Sequence, residues 1–333
     1  MTVLVTGTAG FIGNEIALRL LAAGERVVGV DNLTPYYDVA LKEARLARLA
    51  GKGDFTESRA DLADRAAAVR LFAEHAPRRV IHMAAQPGVR HSIDHPHDYA
   101  DRNLTAFLNV LEGCRAVGVE HLVYASSSSV YGGNAKIPFS EHDAADHPVS
   151  LYAATKRANE LMAHCYAHLY RFPATGLRFF TVYGPWGRPD MAPMMFARAI
   201  TQGRQIDVFN GGEMRRDFTY IDDIVEGVLR VADCIPAPDP KAGADPAASP
   251  IAPHRVFNIG NGAPVDLMRF IAVMEEALGR KAQMNMMPMQ PGDVKATWAD
   301  TGDLVAATGW KPATPIEDGV RRFVAWYKGF YGV

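Results

Sequence analysis

The sequence predicts an α/β protein in which a doubly wound parallel sheet fills the N-terminal half and a smaller mixed α/β unit follows it. Three observations carry that prediction. Thr2-Val-Leu-Val-Thr6 is a short β-rich apolar run that leads straight into the glycine turn Gly7-Thr-Ala-Gly10-Phe-Ile-Gly13. Strand-like and helix-like segments then alternate as far as residue 180, and repeated βα units build parallel sheets with ligands at the strand C-terminal ends. Beyond residue 180 the alternation loosens into shorter, mixed elements.

Ile16, Leu20 and Leu21 fall at helical spacing after the glycines, and Gly24 closes that helix. Glycine lets the backbone approach a pyrophosphate closely, and the free N–H groups of Phe11, Ile12 and Gly13 at the helix start receive its charge. The spacing is G-x-x-G-x-x-G, not G-x-G-x-x-G, so the glycines alone are a weak signal. A second strand, Arg26-Val-Val-Gly-Val30, ends at Asp31-Asn32, eighteen residues past Gly13, where a carboxylate can accept hydrogen bonds from an adenosine ribose. An acid there repels a 2′-phosphate, so NAD is expected over NADP. Strand, turn, helix and acid in register give a Rossmann-type dinucleotide site.

A third strand over 56–60 ends at Asp61-Leu62, a helix covers 65–76, and a fourth strand, Arg79-Val-Ile-His-Met83, opens into Ala84-Ala85-Gln86. Residues that small leave room for a cofactor to pass. A helix from 99 to 117 carries Leu104, Phe107, Leu108 and Leu111 on one stripe, with Asn103 near its start. The fifth strand, His121-Leu-Val-Tyr-Ala125, runs into four serines, 126 to 129. Hydroxyls after a buried strand are costly unless they bond something, so either the turn caps itself or Ser127, Ser128 and Ser129 face the cleft. A sixth strand covers 174–180. The second half is read as helices over 193–203, 221–233, 266–278 and 316–330 with strands over 205–210 and 216–220. The stretch 236–253 holds six prolines and almost no large apolar residue, and is expected to be an exposed Pro/Ala-rich loop. Met284, Met286, Met287 and Met289 alternate imperfectly along a strand and are expected to be core or pocket wall.

At 333 residues the chain suits one large domain or two fused units. The expected division is a dinucleotide-binding domain over 1–180 and a mainly substrate-binding domain over 181–333, with 216–233 and 255–262 as candidates to return to the first. A net charge of −2 without blocks of like charge argues against nucleic acid or a membrane surface as partner. Cys114, Cys165 and Cys234 lie far apart without metal-ligand spacing and read as packing cysteines of a reduced, cytoplasmic protein. No signal-like or membrane-spanning run stands out, so the chain is expected to be soluble and unprocessed. His82 and His91 lack a second ligand at suitable spacing, and no metal is expected.

Tyr152 and Lys156 stand four residues apart in Ser150-Leu-Tyr-Ala-Ala-Thr-Lys-Arg-Ala-Asn-Glu160, on one face of a helix. An ammonium beside a phenol favours the phenolate. Bringing a tyrosine from about 10 to about 7 needs roughly 4 kcal/mol, within reach of one close cation in a partly dry site. A bare Y-x-x-x-K is usually incidental; the dinucleotide motif upstream is what gives it weight.

Gly7-x-x-Gly10-x-x-Gly13, Asp31, Asp61-Leu62, Ser127 and Tyr152-x-x-x-Lys156 together resemble the extended short-chain dehydrogenase/reductase superfamily over nearly the whole chain. Within it the chain is similar to the NAD-dependent nucleotide-sugar epimerases, and most to the UDP-glucuronate 4-epimerase family. That closer likeness rests on Ala85-Gln-Pro-Gly-Val-Arg90, the run from Ser126 to Gly132, the helix start at Ser150, Arg178-Phe-Phe-Thr-Val-Tyr-Gly-Pro-Trp-Gly-Arg-Pro-Asp-Met191, and Gln290-Pro-Gly-Asp293. The resemblance implies NAD held by Gly7, Gly10, Phe11, Ile12, Gly13, Asp31, Asn32, Asp61, Leu62, Ala84, Ala85, Asn103, Tyr152 and Lys156. It implies that Tyr152 takes the proton from the sugar 4-hydroxyl through Ser127 while hydride passes to NAD, Lys156 assisting, and that the oxidised sugar turns over and is reduced again. For the UDP-sugar it implies contacts from Gln86, Arg90, Ser127, Ser128, Ser129, Thr181 and Arg188. Arg216 would meet the diphosphate, Asp293 the uridine ribose, and Val208-Phe209 the uracil.

Departures from related families narrow the expectation. Dehydratases place an acidic pair where Ser128 and Ser129 stand, and decarboxylases a glutamate where Ser129 stands. UDP-galactose 4-epimerases carry asparagine at the position of Thr181 and arginine at that of Gln290, which leaves Lys295 or Arg215 as candidates to complete the diphosphate site. The expected activity is UDP-glucuronate 4-epimerisation, with a UDP-glucuronate 5-epimerase, a UDP-glucose/UDP-galactose 4-epimerase and a UDP-glucuronate decarboxylase as alternatives. The helices over 99–117 and 153–171 match those that relatives pair into a homodimer, and their apolar stripes could equally be core.

Overall fold

The computed structural model describes residues 1–289 and 295–333. Its first half runs β1 (Thr2–Thr6), α1 (Phe11–Ala22), β2 (Arg26–Asp31), α2 (Val39–Ala47), β3 (Phe55–Arg59), α3 (Arg65–His75) and β4 (Arg79–His82). Two short helices, α4 (His91–Asp94) and α5 (Pro96–Tyr99), lead through a π-helical stretch, Ala100–Thr105, into α6 (Ala106–Val117). β5 (His121–Ser127) ends in a 3₁₀ turn, Ser128–Tyr131, and is followed by α7 (Leu151–Tyr170), β6 (Ala174–Phe179) and β7 (Thr181–Tyr183). The remainder comprises α8 (Ala192–Thr201), β8 (Gln205–Phe209), β9 (Arg215–Arg216), β10 (Phe218–Tyr220), α9 (Ile221–Asp233), β11 (His254–Ile259), β12 (Val265–Asp266), α10 (Leu267–Leu278), β13 (Gln283–Met287), α11 (Gly302–Thr308) and α12 (Ile316–Tyr331).

Seven parallel strands form the central sheet in the order β11-β6-β5-β4-β1-β2-β3. The chain builds outward from β1 to β3 and then returns to β4 on the other side of β1. A crevice opens at such a reversal, beyond the strand C-terminal ends, and this is where the cleft lies. The inner strands read as apolar runs because both faces are covered, whereas β3, Phe55-Thr-Glu-Ser-Arg59 at the sheet edge, does not. Val3 and Val5 of β1 pack with Ile16 and Leu21 of α1 and with Ile224 and Val228 of α9, while Leu4 between them packs with Phe72 of α3 and Phe107 of α6. That alternation is the two-residue period of a strand.

The second half adds three small sheets, pairing β10 with β7, β12 with β9, and β13 with β8, packed with α8, α10 and α12. The sequence predicted one strand over 216–220; the chain instead makes β9 and β10 with different partners, changing sheets at Asp217. The side chain of that buried residue accepts from the backbone N–H groups of Asn261, Gly262 and Ala299 at 2.7, 3.0 and 3.0 Å. The stretch 236–253, expected to be wholly exposed, buries Ala247, Ser249 and Ala252. Its backbone is pinned to the sheet, with Val256 N donating to Ala247 O and Ala174 N to Pro253 O. Small residues can pack against an edge strand where large ones are lacking, so composition misled here. Helix α11 was not foreseen, being too short to show a period. Met286 is 54% exposed and Cys165 is exposed, so neither serves the core as expected. Among the described residues the cysteines are free, and no helix is long and apolar enough to cross a membrane.

Candidate active site

An open cleft of about 390 Å³ lies at the reversal between β1 and β4. One end is the glycine turn. Gly7 has φ +77°, and a Cβ there would stand 2.9 Å from Ala84 N; a Cβ on Gly13 would collide with the Gly7 carbonyl oxygen. Glycine is therefore required for β1, the turn and α1 to close together. Gly10 caps α1 without any side-chain hydrogen bond, which leaves the first N–H groups free to meet a phosphate. At the end of β2, Asp31 accepts from Ala9 N at 3.1 Å and Leu33 N at 2.8 Å. Burial pushes its carboxyl up, with Leu33 N–H, the Lys42 charge and Ala9 N–H opposing. Asn32, Asp61, Leu62, Ala84 and Ala85 complete this end. A glycine cradle, free helix N–H groups and an acid at the end of β2 fit NAD.

The other end is the catalytic candidate. Ser150 caps α7 by accepting from Ala153 N at 3.1 Å, which starts the helix so that Tyr152 and Lys156 face the cleft together. Ser127, Ser128, Ser129, Thr181 and Arg188 line the same space. Both alternatives for the serine run hold in part: Ser127 Oγ donates to Ser129 Oγ at 3.1 Å and accepts from Ser129 N at 3.2 Å, and all three still reach the cleft.

The tyrosine does not behave as expected from the Tyr-Lys spacing. Burial pushes Tyr152 above its ordinary value, with Ser127 and the Arg188 charge pulling the other way. Lys156 Nζ donates to Ala125 O at 2.8 Å, so its ammonium is directed at the end of β5. Burial also brings Lys156 down to about 8. Desolvation thus works against both charged forms.

The other predicted contacts divide. Gln86 lines the cleft and takes a hydrogen bond from Arg102 at 3.0 Å on Oε1. Asn103 does not line it. Its amide brackets the Gln86 backbone, accepting from Gln86 N at 2.7 Å and donating to Gln86 O at 3.0 Å, so it shapes the loop beside the cleft. The Val208 side chain is fully buried because alternate residues of β8 face the core, while Phe209 remains partly exposed. Arg90 lies over the Phe209 ring at 5.5 Å, bringing together two predicted residues from opposite halves of the chain. Arg216 donates to the carbonyls of Arg215 and Lys295, and Arg215 pairs with Asp266 at 3.1 Å. Asp293 and Gln290 lie outside the described residues.

Sequence reasoning missed Tyr36, Lys42 and Arg102, which also line the cleft. Tyr36 donates to Asp190 Oδ2 at 3.0 Å, and Asp190 grips Arg188 at 3.1 and 2.5 Å. The paired tyrosines after Pro35 were the one available signal. The reading of His91 also needs correcting: His95 and Asp98 bring donor atoms to within 4.8 Å of it. The rings of His91 and His95 stack at 4.1 Å and Asp98 pairs with Arg102 at 3.2 Å, which accounts for the cluster without an ion.

Comparison with known proteins matches residues 3–244 to the family described as NAD dependent epimerase/dehydratase. The chain is 52% identical over 334 residues to a probable UDP-glucuronate 4-epimerase of Rhizobium meliloti strain 1021, covering 99% of this chain and 98% of that protein. It is 51% identical over 333 residues to protein CapI of Staphylococcus aureus, with 99% of each covered. The crystal structure of UDP-glucuronic acid 4-epimerase from Bacillus cereus in complex with UDP-glucuronic acid and NAD superposes with a TM-score of 0.87 at 29% identity, over 99% of this chain and 100% of that one.

Proposed function

The chain belongs to the NAD dependent epimerase/dehydratase family, and on that premise we propose that it interconverts UDP-glucuronate and UDP-galacturonate by transient oxidation at sugar C4. The observation that carries this reading is the wall facing Tyr152. It offers Ser127, Ser128, Ser129, Thr181 and Arg188, while among the described residues the acids lining the cleft are Asp31 and Asp61 at the adenosine end. Hydroxyls and a guanidinium suit a sugar carboxylate; among the described residues that line this wall there is no acid to eliminate water.

Tyr152 takes the proton from the 4-hydroxyl, relayed through Ser127, and returns it on the opposite course. Lys156 holds the nicotinamide ribose. NAD, when bound, accepts the hydride from C4 and gives it back. In the oxidised sugar the carboxylate is β to the ketone and leaves as carbon dioxide only if its C–C bond aligns with the carbonyl π system. Ser128, Ser129, Thr181 and Arg188 hold it out of that alignment. Gln86, Arg90 and Phe209 serve the uridine side, Arg216 the diphosphate and Asp293 the uridine ribose. Arg90 and Phe209 already stack on each other, so a flat base would lie against the outer face of this pair. On this reading 1–180 is the cofactor domain and 181–333 mainly the substrate domain.

A homodimer in the cytoplasm completes the proposal. Leu108 of α6 and Leu161 and Leu169 of α7 are 40%, 58% and 59% exposed, so these helices carry apolar side chains the core does not use. Free cysteines suit a reducing compartment. The test is incubation of the purified protein with UDP-glucuronate and no added NAD, followed by identification of the sugar. Galacturonate is expected; iduronate or xylose as main product, or inertness, overturns the reading.

A further inference from the structure

Tyr152, Lys156 and Glu160 stand four residues apart in turn on α7, so they share one helix face. The first two line the cleft and the third lies behind them, its side chain 1% exposed. Every lone-pair region of that carboxylate is engaged. Oε1 accepts from Ser126 Oγ at 2.6 Å and Arg178 Nε at 2.9 Å; Oε2 accepts from Arg178 Nη2 and Arg157 Nη1, both at 2.9 Å. Ser126 directly precedes Ser127 on β5, and Arg178, on β6, lies three residues before Thr181 at the start of β7. Lys156 itself donates to the carbonyl of Ala125, next to Ser126. One buried carboxylate therefore ties the Tyr-Lys helix to both strand ends that carry the hydroxyl wall.

Packing alone does not call for this arrangement, since well-fitted apolar side chains replace a buried ion pair at little or no loss of stability. We propose that Glu160 is a positioning residue for the redox step, fastening the ends of β5 and β6 to the catalytic helix and supplying the counter-charge that keeps Lys156 an ammonium. The inference rests on the reading of Tyr152 and Lys156 as the redox pair.

The surroundings leave that counter-charge to Glu160. From β4 Lys156 faces His82, and from β11 the Glu160 group faces His254; burial brings each imidazole down to about 3, so both are neutral. Tyr124 of β5 is held protonated by burial, and Arg178 and Arg157 add positive charge. Burial would raise Glu160, but Arg178, Ser126 and Arg157 hold it below the usual carboxylate range. Lys156 stands at about 8 with the Glu160 charge already pulling upward. Without that charge its ammonium is lost at a lower pH, and activity that needs the ammonium loses its alkaline limb there.

The test is kcat against pH for Glu160→Gln, with melting temperature and retained NAD measured alongside. An alkaline limb displaced downward by about one unit is expected, so that kcat at pH 8.5 falls roughly sixfold further than at pH 6.5. Gln leaves Arg178 buried without its counter-ion and can unfold the chain, so Glu160→Gln/Arg178→Met removes both charges. The same displaced limb is expected in that variant. A limb at the wild-type position in either variant overturns the electrostatic role, because a merely structural contribution lowers the melting temperature without moving the profile. Ser126→Ala keeps the ion pair and cuts only the link to β5. It should lower kcat about tenfold with KM unchanged, beside the loss of melting temperature that any deleted buried hydrogen bond brings, and an unchanged kcat overturns the fastening role. Each profile is taken with whichever UDP-sugar the wild-type protein turns over, so inertness toward UDP-glucuronate counts against the proposed substrate and not against this test.

Discussion

Glu141 lets burial be weighed against charge outside the cleft. It is 1% exposed beneath the 3₁₀ turn that follows the serines, where Asn258 Nδ2 donates to its Oε2 at 3.0 Å and Tyr131 donates to Asn258 Oδ1 at 2.6 Å. Burial pushes its carboxyl up from 4.5 to about 7; its own and Asn258 backbone N–H groups oppose, Asp303 adds to the rise and His142 subtracts from it. A folded pKa above the unfolded one means the native state binds the extra proton. Stability from this group is then fully present below about pH 4.5 and is lost as pH rises through about 7. A shift of this size is worth about 3 kcal/mol at 1.36 per unit. Glu141→Gln is neutral at every pH, so relative to wild type it should gain about that much between pH 4.5 and pH 8. Unfolding entropy of about 2 cal/mol/K per residue gives about 0.7 kcal/mol/K for a chain this long, so the gain is roughly 4 °C in melting temperature. Calorimetry at the two pH values measures it, and any constant cost of the amide cancels in the difference. A melting-temperature difference between variant and wild type that stays the same at both pH values refutes the reasoning.

Removing the phenol alone should separate chemistry from folding: Tyr152→Phe keeps the ring against Tyr99, 6.1 Å away, and is expected to lose 10²- to 10⁴-fold in kcat while NAD stays bound, measured by turnover and by the absorbance of released cofactor. Normal turnover would remove Tyr152 from the mechanism. Ser128→Ala or Thr181→Ala should raise the fraction of UDP-pentose among the products, read by chromatography, because the carboxylate gains freedom to align with the ketone. Asn103→Ala deletes both bonds to the Gln86 backbone and should lower stability by about 1–3 kcal/mol, with KM for the UDP-sugar rising more than kcat falls; denaturant titration and steady-state kinetics check it. Asp31→Ala should lose retained NAD, since the carboxylate that holds the turn at Ala9 and Leu33 is also the one proposed to meet the ribose.

Much of the sheet was legible because its inner early strands are apolar runs closed by a marked residue, Asp31, Ala84 or Ser126, while the polar edge strand β3 was marked only by the Asp61 that follows it. Parallel strands buried on both faces announce themselves that way. The second half resisted because the strands of its small sheets are two to five residues long and take partners far away in sequence. Val208 illustrates the limit at the site. Nothing local tells which of two neighbours on β8 faces the core, and the choice decides whether a residue can touch a base. Asn103 shows a related limit: a polar residue near a cleft looks like a ligand contact, and nothing local tells that its buried amide also holds a loop.

Tyr152 and Lys156 mark the deeper gap between pattern and energetics. Four-residue spacing places a phenol and an ammonium on one helix face, but it says nothing about the desolvation each must overcome. Here burial raises the tyrosine and lowers the lysine, so each is pushed toward its neutral form. The charge that favours the tyrosine anion is Arg188, itself neutralised by Asp190, whose other partner is Tyr36 on the loop leaving β2. A guanidinium so held is a tempered cation. It can meet a sugar carboxylate without gripping it, and what the carboxylate takes from Arg188 it takes from Tyr152 as well. An acidic sugar should therefore raise the pH at which Tyr152 ionises relative to a neutral one. The acid limb of kcat should lie at higher pH with UDP-glucuronate than with any neutral UDP-sugar the protein accepts, and coincident limbs would show that Arg188 does not sense the carboxylate at all.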